Sequence, residues 1–301
     1  MAQQQYKRSF RSLVFQDAMW GYLMIAPMVL GLGIFFYFAL GASFYISLTK
    51  WNILTTPEWI GLGNYAYLLK DPVFLKTLWN SARYTLMVVP LGMIISLALA
   101  LALNTKIRFR NLYRFIYFLP VLTMPVTISI VWKWIYNPDF GPINQILHLF
   151  GVGRLLWLSD INLAMPAIVL MNIWMGSGYG MIIFLAGLQN IPRELYEAAE
   201  VDGANYWEKL LHITLPMLTP TIFFSSITSI ISAFQIFDTI FTMTKGGPLD
   251  STRTLVYAIY DNGFVFGKMG LASATAWVLF IIILVVTIIQ FRSQKKWVHY
   301  T

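Results

Sequence analysis

Long apolar runs alternate with short polar stretches along the whole chain, and the runs set the architecture. A helix needs about 20 largely apolar residues to cross about 30 Å of hydrocarbon. Six runs reach that length, over roughly 22–48, 81–103, 112–136, 163–188, 217–241 and 271–291. They predict an all-α polytopic membrane protein of six transmembrane helices, with residues 1–301 forming a single transmembrane domain. Pro90, Pro120, Pro125, Pro166 and Pro220 lie in or near these runs. Spanning helices tolerate proline where neighbours take up the freed carbonyls, so several spans are expected to be kinked and packed together. The first run follows Lys7, Arg8 and Arg11 but is too long for a signal peptide and has no small-x-small cleavage site after it. It reads as an uncleaved first span.

Composition agrees with this picture. The chain is 58% hydrophobic and 11% charged, with a mean hydropathy of +0.65. Cysteine is absent, which excludes disulfides and thiolate metal sites. A net charge of +8 in a soluble protein would point toward nucleic acid. Here the basic residues sit in short loops beside apolar runs, where they orient a membrane protein, and no nucleic-acid partner is expected. With both termini in the cytoplasm, that side holds Lys7, Arg8, Arg11, Lys106, Arg108, Arg110, Arg114, Arg193, Lys209, Arg292, Lys295 and Lys296. The outer loops hold Lys50, Lys70, Lys76, Arg154, Lys245, Arg253 and Lys268. The excess lies inside, and "NTKIRFRNLYR" is its clearest pin, so the expected orientation is N-in and C-in.

One polar stretch is unlike the others. "ELYEAAEVDGANYWEKLLHITLPMLTP" carries Glu194, Glu197, Glu200, Asp202 and Glu208, five of the thirteen acidic residues. Pro192 suits the first turn of a helix, Glu194 suits the positive end of its dipole, and Gly203 is placed to stop it in a left-handed cap. A second short helix follows, with Trp207, Leu210 and Leu211 expected on one inward face. The product is a helical pair at the cytoplasmic surface, carboxylates outward, over residues 193–209. Two readings stay open on these grounds: a solvated loop kept wet by its acidity, or a docking knob for a partner.

At this point the residues resemble a known family. Glu197-Ala198-Ala199, three residues, Gly203, nine residues, then Ile213-x-Leu215-Pro216 reproduces the EAA motif of binding-protein-dependent ABC importer permeases. "TMTKGGP" at 242–248, "TLVYAIY" and "GLASATA" resemble the sugar-uptake branch. Tyr196 and Trp207, flanking the motif, resemble the maltose-transporter type of first subunit. The resemblance implies the type I importer fold and a coupling helix that enters a cleft on a separate ATPase. Glu197, Ala198, Ala199, Asp202 and Gly203 would make that contact, with Glu197 facing an ATPase arginine. It also implies the partners: a second related permease, a dimer of ATP-binding subunits, an extracytoplasmic solute-binding protein, membrane lipid and a saccharide cargo. The location implied is a prokaryotic inner or plasma membrane.

The chemistry the chain lacks is consistent with a transport subunit rather than an enzyme. No G-x-x-x-x-G-K-[ST] occurs. "GFVFGKMG" at 263–270 has the wrong spacing and no hydroxyl residue after the lysine. ATP and magnesium are therefore expected on the partner ATPase, with no cofactor on this chain. His148, His212 and His299 form no H-E-x-x-H pair.

Polar groups at mid-membrane are costly and mark pathways. Asn172, Gly176 and Tyr179 stand at i, i+4 and i+7 on one face of the fourth run. An amide, a gap and an aromatic ring suit a sugar, although small residues also serve as a helix-packing seam. In the fifth run Phe234, Gln235 and Asp238 fall within about one turn. Asp238 should face a cavity, or else an ion-pair partner in Lys133 or Arg83. The resemblance assigns sugar contacts to these same places, with Gln235 and Asp238 standing where the maltose-type subunit has asparagines. The expected function is the transmembrane subunit of an ATP-driven carbohydrate importer. The rival cargo is a glycerol phosphodiester or polyol, and the rival mechanism is an ion-coupled secondary transporter.

Overall fold

The computed structural model describes residues 2–105 and 107–298, with residues 2–14 and 16 described by backbone alone. Lys106 and His299 lie outside the described residues. Among the described residues, five helices are long and apolar enough to cross a membrane: Asp17–Ser47, Pro72–Asn104, Ala164–Gln189, Thr219–Met243 and Met269–Gln294. The run expected at 112–136 is instead two pieces, Arg110–Leu122 and Pro125–Ile135, meeting at 100°. Proline forces the residue before it out of the helical region, and Met124, before Pro125, sits at ψ 133°. The bent pair still traverses the bundle. Leu103, just before it, shares a core with Leu188, whereas Tyr136, just after it, donates to the Ala167 carbonyl at 2.9 Å. Its two ends therefore lie toward opposite ends of the fourth helix, and counting the bent pair as one span gives six candidate spans among the described residues.

The second helix begins at Pro72 rather than near residue 81, for a local reason. Asp71 accepts from the Val73 N–H at 3.0 Å, and proline fits the first turn. This polar extension holds the connection between the fifth and sixth helices. Lys76 donates to the Leu249 carbonyl at 2.7 Å, and Asn80 donates to those of Asp250 and Arg253 at 2.7 and 3.1 Å. Inside that connection Arg253 pairs with Asp261 at 2.6 Å, both side chains largely covered. A two-residue antiparallel ladder, Thr49↔Trp59 and Lys50↔Glu58, closes the same end.

The first helix stands apart. Its most apolar window is 0% buried; its C-terminal end meets the sixth helix, where Phe44 packs on Trp277 at 5.0 Å and Trp277 donates to Ser43 at 3.2 Å. The second and fourth helices make the most extensive pairing, and glycines allow it. A Cβ on Gly178 would strike the Tyr117 carbonyl of the bent pair, and one on Gly180 would strike Ser96 of the second helix. Gly176 meets nothing within 4 Å. The small residues of "GSGYG" thus divide between a packing seam, Gly178 and Gly180, and an open face, Gly176.

Gly178→Val is expected to destabilise the solubilised protein by about 1–3 kcal/mol through overpacking against rigid backbone, and Gly176→Ala to be near neutral. Thermal unfolding in detergent checks both.

Candidate functional site

The acidic loop is a folded unit with both ends nailed to the bundle. Its first helix is Arg193–Val201, with Pro192 at the N-cap rather than in the first turn as the sequence reading has it, because Pro192 is extended at ψ 135°. Gly203 is left-handed at φ 78°. Around it the Ala204 N–H donates to the Ala199 carbonyl at 2.8 Å and the Gly203 N–H to that of Glu200 at 3.1 Å. These two bonds make a Schellman stop, which favours glycine because a Cβ resists that backbone conformation. The second helix, Tyr206–Lys209, opens with a reciprocal capping box between Asn205 and Glu208. Lys209 bridges back to Glu200 at 2.9 Å, and the Tyr196 hydroxyl bonds Thr214 at 3.0 Å.

All five acidic residues point outward, and Ala198 and Gly203 are exposed beside them, with Ala199 half-buried. The second helix departs from its expected orientation. Leu210 is half-buried, but Trp207 and Leu211 are exposed, as is Val201 at 88%. The helix spans one turn before a π-helical stretch, Leu210–Thr214, which breaks the 3.6-residue spacing that would have aligned the three apolar side chains. The free surface is therefore acidic, with Val201, Trp207 and Leu211 exposed among the carboxylates.

The fourth helix leads into this loop and the fifth leads out of it. Between those two helices and the second lies a cavity of about 460 Å³. Asn172, Gly176 and Tyr179 all line it, as their shared face requires. Asn172 donates to the Ile168 carbonyl at 2.9 Å and accepts from Thr239 at 3.3 Å. Tyr179 is 55% exposed.

The fifth helix breaks opposite them. Thr219–Phe234 ends, Gln235–Phe237 are non-helical, and Asp238–Met243 resumes. Thr254 donates to the freed Ile236 carbonyl at 3.3 Å, the kind of rescue a broken membrane helix needs. The break turns Gln235, Phe237 and Asp238 into the cavity. Phe234 goes the other way, 7% exposed in a core with Phe74, Leu255 and Leu279. The expectation that Phe234 faces the pathway fails because Phe234 still belongs to the unbroken helix Thr219–Phe234 and lies, two residues past Ser232, on the side opposite the cavity face, while the break brings Phe237 to the wall. Asp238 is exposed to the cavity and, among the described residues, makes no ion pair with Lys133 or Arg83. It is the sole acidic or basic side chain among the described lining residues.

Sequence reasoning also passed over Ser225, Thr228, Ser229 and Ser232, which line the cavity from the fifth helix. Their spacing of i, i+3, i+4 and i+7 was available in "SSITSIIS" as a one-sided polar stripe.

Residues 89–299 match the family model described as "Binding-protein-dependent transport system inner membrane component". The chain is 35% identical to the arabinooligosaccharides transport system permease protein AraP of Bacillus subtilis (strain 168), over 94% of this chain and 91% of that protein. It is 32% identical to the sn-glycerol-3-phosphate transport system permease protein UgpA of Agrobacterium fabrum (strain C58 / ATCC 33970), over 96% and 99%. Its fold matches a chain of a bacterial ABC transporter involved in the import of the acidic polysaccharide alginate, with a TM-score of 0.83 at 22% identity, covering 95% of this chain and 98% of that one.

Gly203→Val is expected to cost the loop about 1–2 kcal/mol through its left-handed backbone, and Gly203→Asn less. Amide hydrogen exchange over residues 202–205 should show protection lost in the valine variant and largely kept in the asparagine one.

Proposed function

The chain belongs to the family of binding-protein-dependent transport system inner membrane components, a multi-pass permease subunit of the ABC importer type, and we propose that it forms one half of the pathway of an ATP-driven carbohydrate importer. The observation that carries this reading is a connection: two of the helices that wall the cavity, the fourth and the fifth, are the two joined by the acidic loop. A partner that moves the loop therefore moves the cavity.

In this reading a second, related permease closes the open side of the cavity. A dimer of ATPase subunits, which alone hold ATP and magnesium, receives residues 193–209. Glu197 supplies the charged contact there, Ala198 and Ala199 the close approach, and Asp202 and Gly203 the turn. An outer solute-binding protein delivers cargo at the opposite end. The membrane is the prokaryotic cell membrane, crossed with both termini inside, as the excess of lysine and arginine in the loops on that side favours. ATP-driven closure of the ATPases then shifts the permease pair between two states that both the loop and the cavity bias.

Cargo follows from the lining. Hydroxyl-rich walls, the Asn172 amide, the Asp238 carboxylate and the Tyr179 and Phe237 rings offer hydrogen bonds to sugar hydroxyls and flat apolar faces to the ring. AraP, a relative named for oligosaccharide transport, supports a neutral saccharide. UgpA, named for glycerol phosphate, favours the rival anionic cargo. A phosphate calls for arginine or lysine, and the described lining has an aspartate and neither cation. The saccharide reading is the better one.

The test is ATP hydrolysis by the complete transporter in nanodiscs, with loaded binding protein and a panel of neutral pyranose saccharides. Glu197→Lys and Gly203→Asp are each expected to cut binding-protein-stimulated hydrolysis by roughly tenfold while the permease pair still assembles. Undiminished stimulation in both variants would refute docking through this loop. A panel in which no saccharide raises wild-type hydrolysis, while glycerol phosphate does, would refute the cargo.

A further inference from the structure

From Phe237 at the cavity wall, aromatic rings continue toward the end of the bundle opposite the acidic loop. Phe237 lies 5.4 Å from Phe241 with ring planes 25° apart. Both approach Tyr260, at 5.2 and 5.3 Å. Tyr260 in turn lies 5.9 Å from Phe264, planes 26° apart. Phe241 is one helical turn beyond Phe237 on the fifth helix, and Tyr260 and Phe264 belong to the connection that leads to the sixth.

Resting on the saccharide reading above, we infer that Phe237, Phe241, Tyr260 and Phe264 form a stacking track that guides the pyranose rings of an oligosaccharide between the far end of the bundle and the cavity. Three observations carry it. The track is continuous with the cavity, because Phe237 is part of the lining. Its outer rings are accessible rather than core, Phe241 at 36% and Phe264 at 71%. It is also held in place: the Arg253–Asp261 bridge ties down the π-helical stretch Asp261–Val265 that carries Phe264.

The chemistry fits a sugar better than the other surfaces such rings could meet. A pyranose has an apolar C–H face and a rim of hydroxyls, so it needs an aromatic face beside hydrogen-bonding groups. At the inner end Phe237 is followed directly by Asp238 and stands two residues after Gln235, both in the lining. At the middle, the Tyr260 hydroxyl has no hydrogen-bond partner among the described residues, a costly arrangement against lipid and a useful one against a hydroxylated ligand. The Phe237–Phe241 and Tyr260–Phe264 pairs are each near-parallel and meet at a steep angle, 78° between Phe241 and Tyr260, so they make two stacking platforms rather than one continuous face, which suits a cargo of more than one sugar unit.

The experiment measures uptake by the complete transporter in proteoliposomes at saturating loaded binding protein, scored as turnover and as molecules moved per ATP. The probes are neutral gluco-, galacto-, manno- and xylo-oligomers of one to five units, using the series that stimulates hydrolysis in wild type. Phe241→Leu and Phe264→Leu keep an apolar side chain and remove the flat face. Each is expected to lower turnover of the trimer and longer chains by roughly three- to tenfold, leave the monomer within about twofold, and be rescued by tryptophan. Equal turnover at every length would overturn the inference, as expected of rings facing lipid. A loss equal at every length would overturn it too, as expected of rings packed on the second permease. A wild type stimulated by a monosaccharide alone removes the track and leaves the saccharide reading standing. A wild type that no saccharide stimulates removes both.

Discussion

The structure depends on an apolar joint at the root of the acidic loop. Leu188, Ile191 and Leu218 are buried together where the fourth helix ends and the fifth begins, with Ala100 and Leu103 of the second helix against them. Tyr196 and Ile213 of the loop pack onto the same cluster. Burying a large aliphatic side chain contributes about 1.5–3 kcal/mol, so the cluster holds this joint against flexing. Gly187 permits it: a Cβ there would come within 2.6 Å of Thr221. The loop is consequently an extension of two helices rather than a tether between them.

What the joint transmits arrives at a place built to yield. A membrane helix has every reason to stay intact, since each freed backbone group must find a partner inside the protein. The fifth helix nonetheless opens at Gln235–Phe237, and the chain spends Thr254 on the freed carbonyl. That break gathers an amide, an aromatic ring and a carboxylate at one spot, facing Asn172, Gly176 and Tyr179 across the cavity. In the proposed function, the packed joint at one end of the helix pair and the local break further along it give the pair a lever and a place to yield. Beyond the break, Phe241, Tyr260 and Phe264 continue from Phe237 in ring-to-ring contact.

Much of this was legible in the sequence wherever a helix runs unbroken. The fourth and sixth helices, Ala164–Gln189 and Met269–Gln294, lie within a few residues of their apolar runs, and the shared face of Asn172, Gly176 and Tyr179 followed from helical spacing alone. Gly203 announced its left-handed stop because no other residue takes that conformation as easily. Legibility failed where periodicity is interrupted. Pro120 and Pro125 signalled a kink, but nothing local said that Arg110–Leu122 and Pro125–Ile135 would turn through 100°. No proline or glycine marks Gln235–Phe237, so nothing local points to Phe237, whereas the buried face of Phe234 follows from the regular spacing of the stripe Ser225, Thr228, Ser229 and Ser232. The π-helical stretch at Leu210–Thr214 similarly sent Trp207 and Leu211 outward. Each error comes from tertiary contacts paying for a break that local propensity does not encode.

The central claim is that the loop and the cavity-bearing helices move as one body. The chain has no cysteine, so single spin labels can be placed on it without background from its own thiols, alongside partner subunits freed of accessible cysteines. Pulsed electron–electron distances in the complete transporter, with and without ATP, would compare two pairs. One joins position 201 on the loop to position 228 on the fifth helix; the other joins position 201 to its counterpart on the second permease. The account predicts that the first distance holds its value while the second shifts on ATP binding. A first distance that changes as much as the second would mean that the joint flexes, and the loop would not be the lever that opens the cavity.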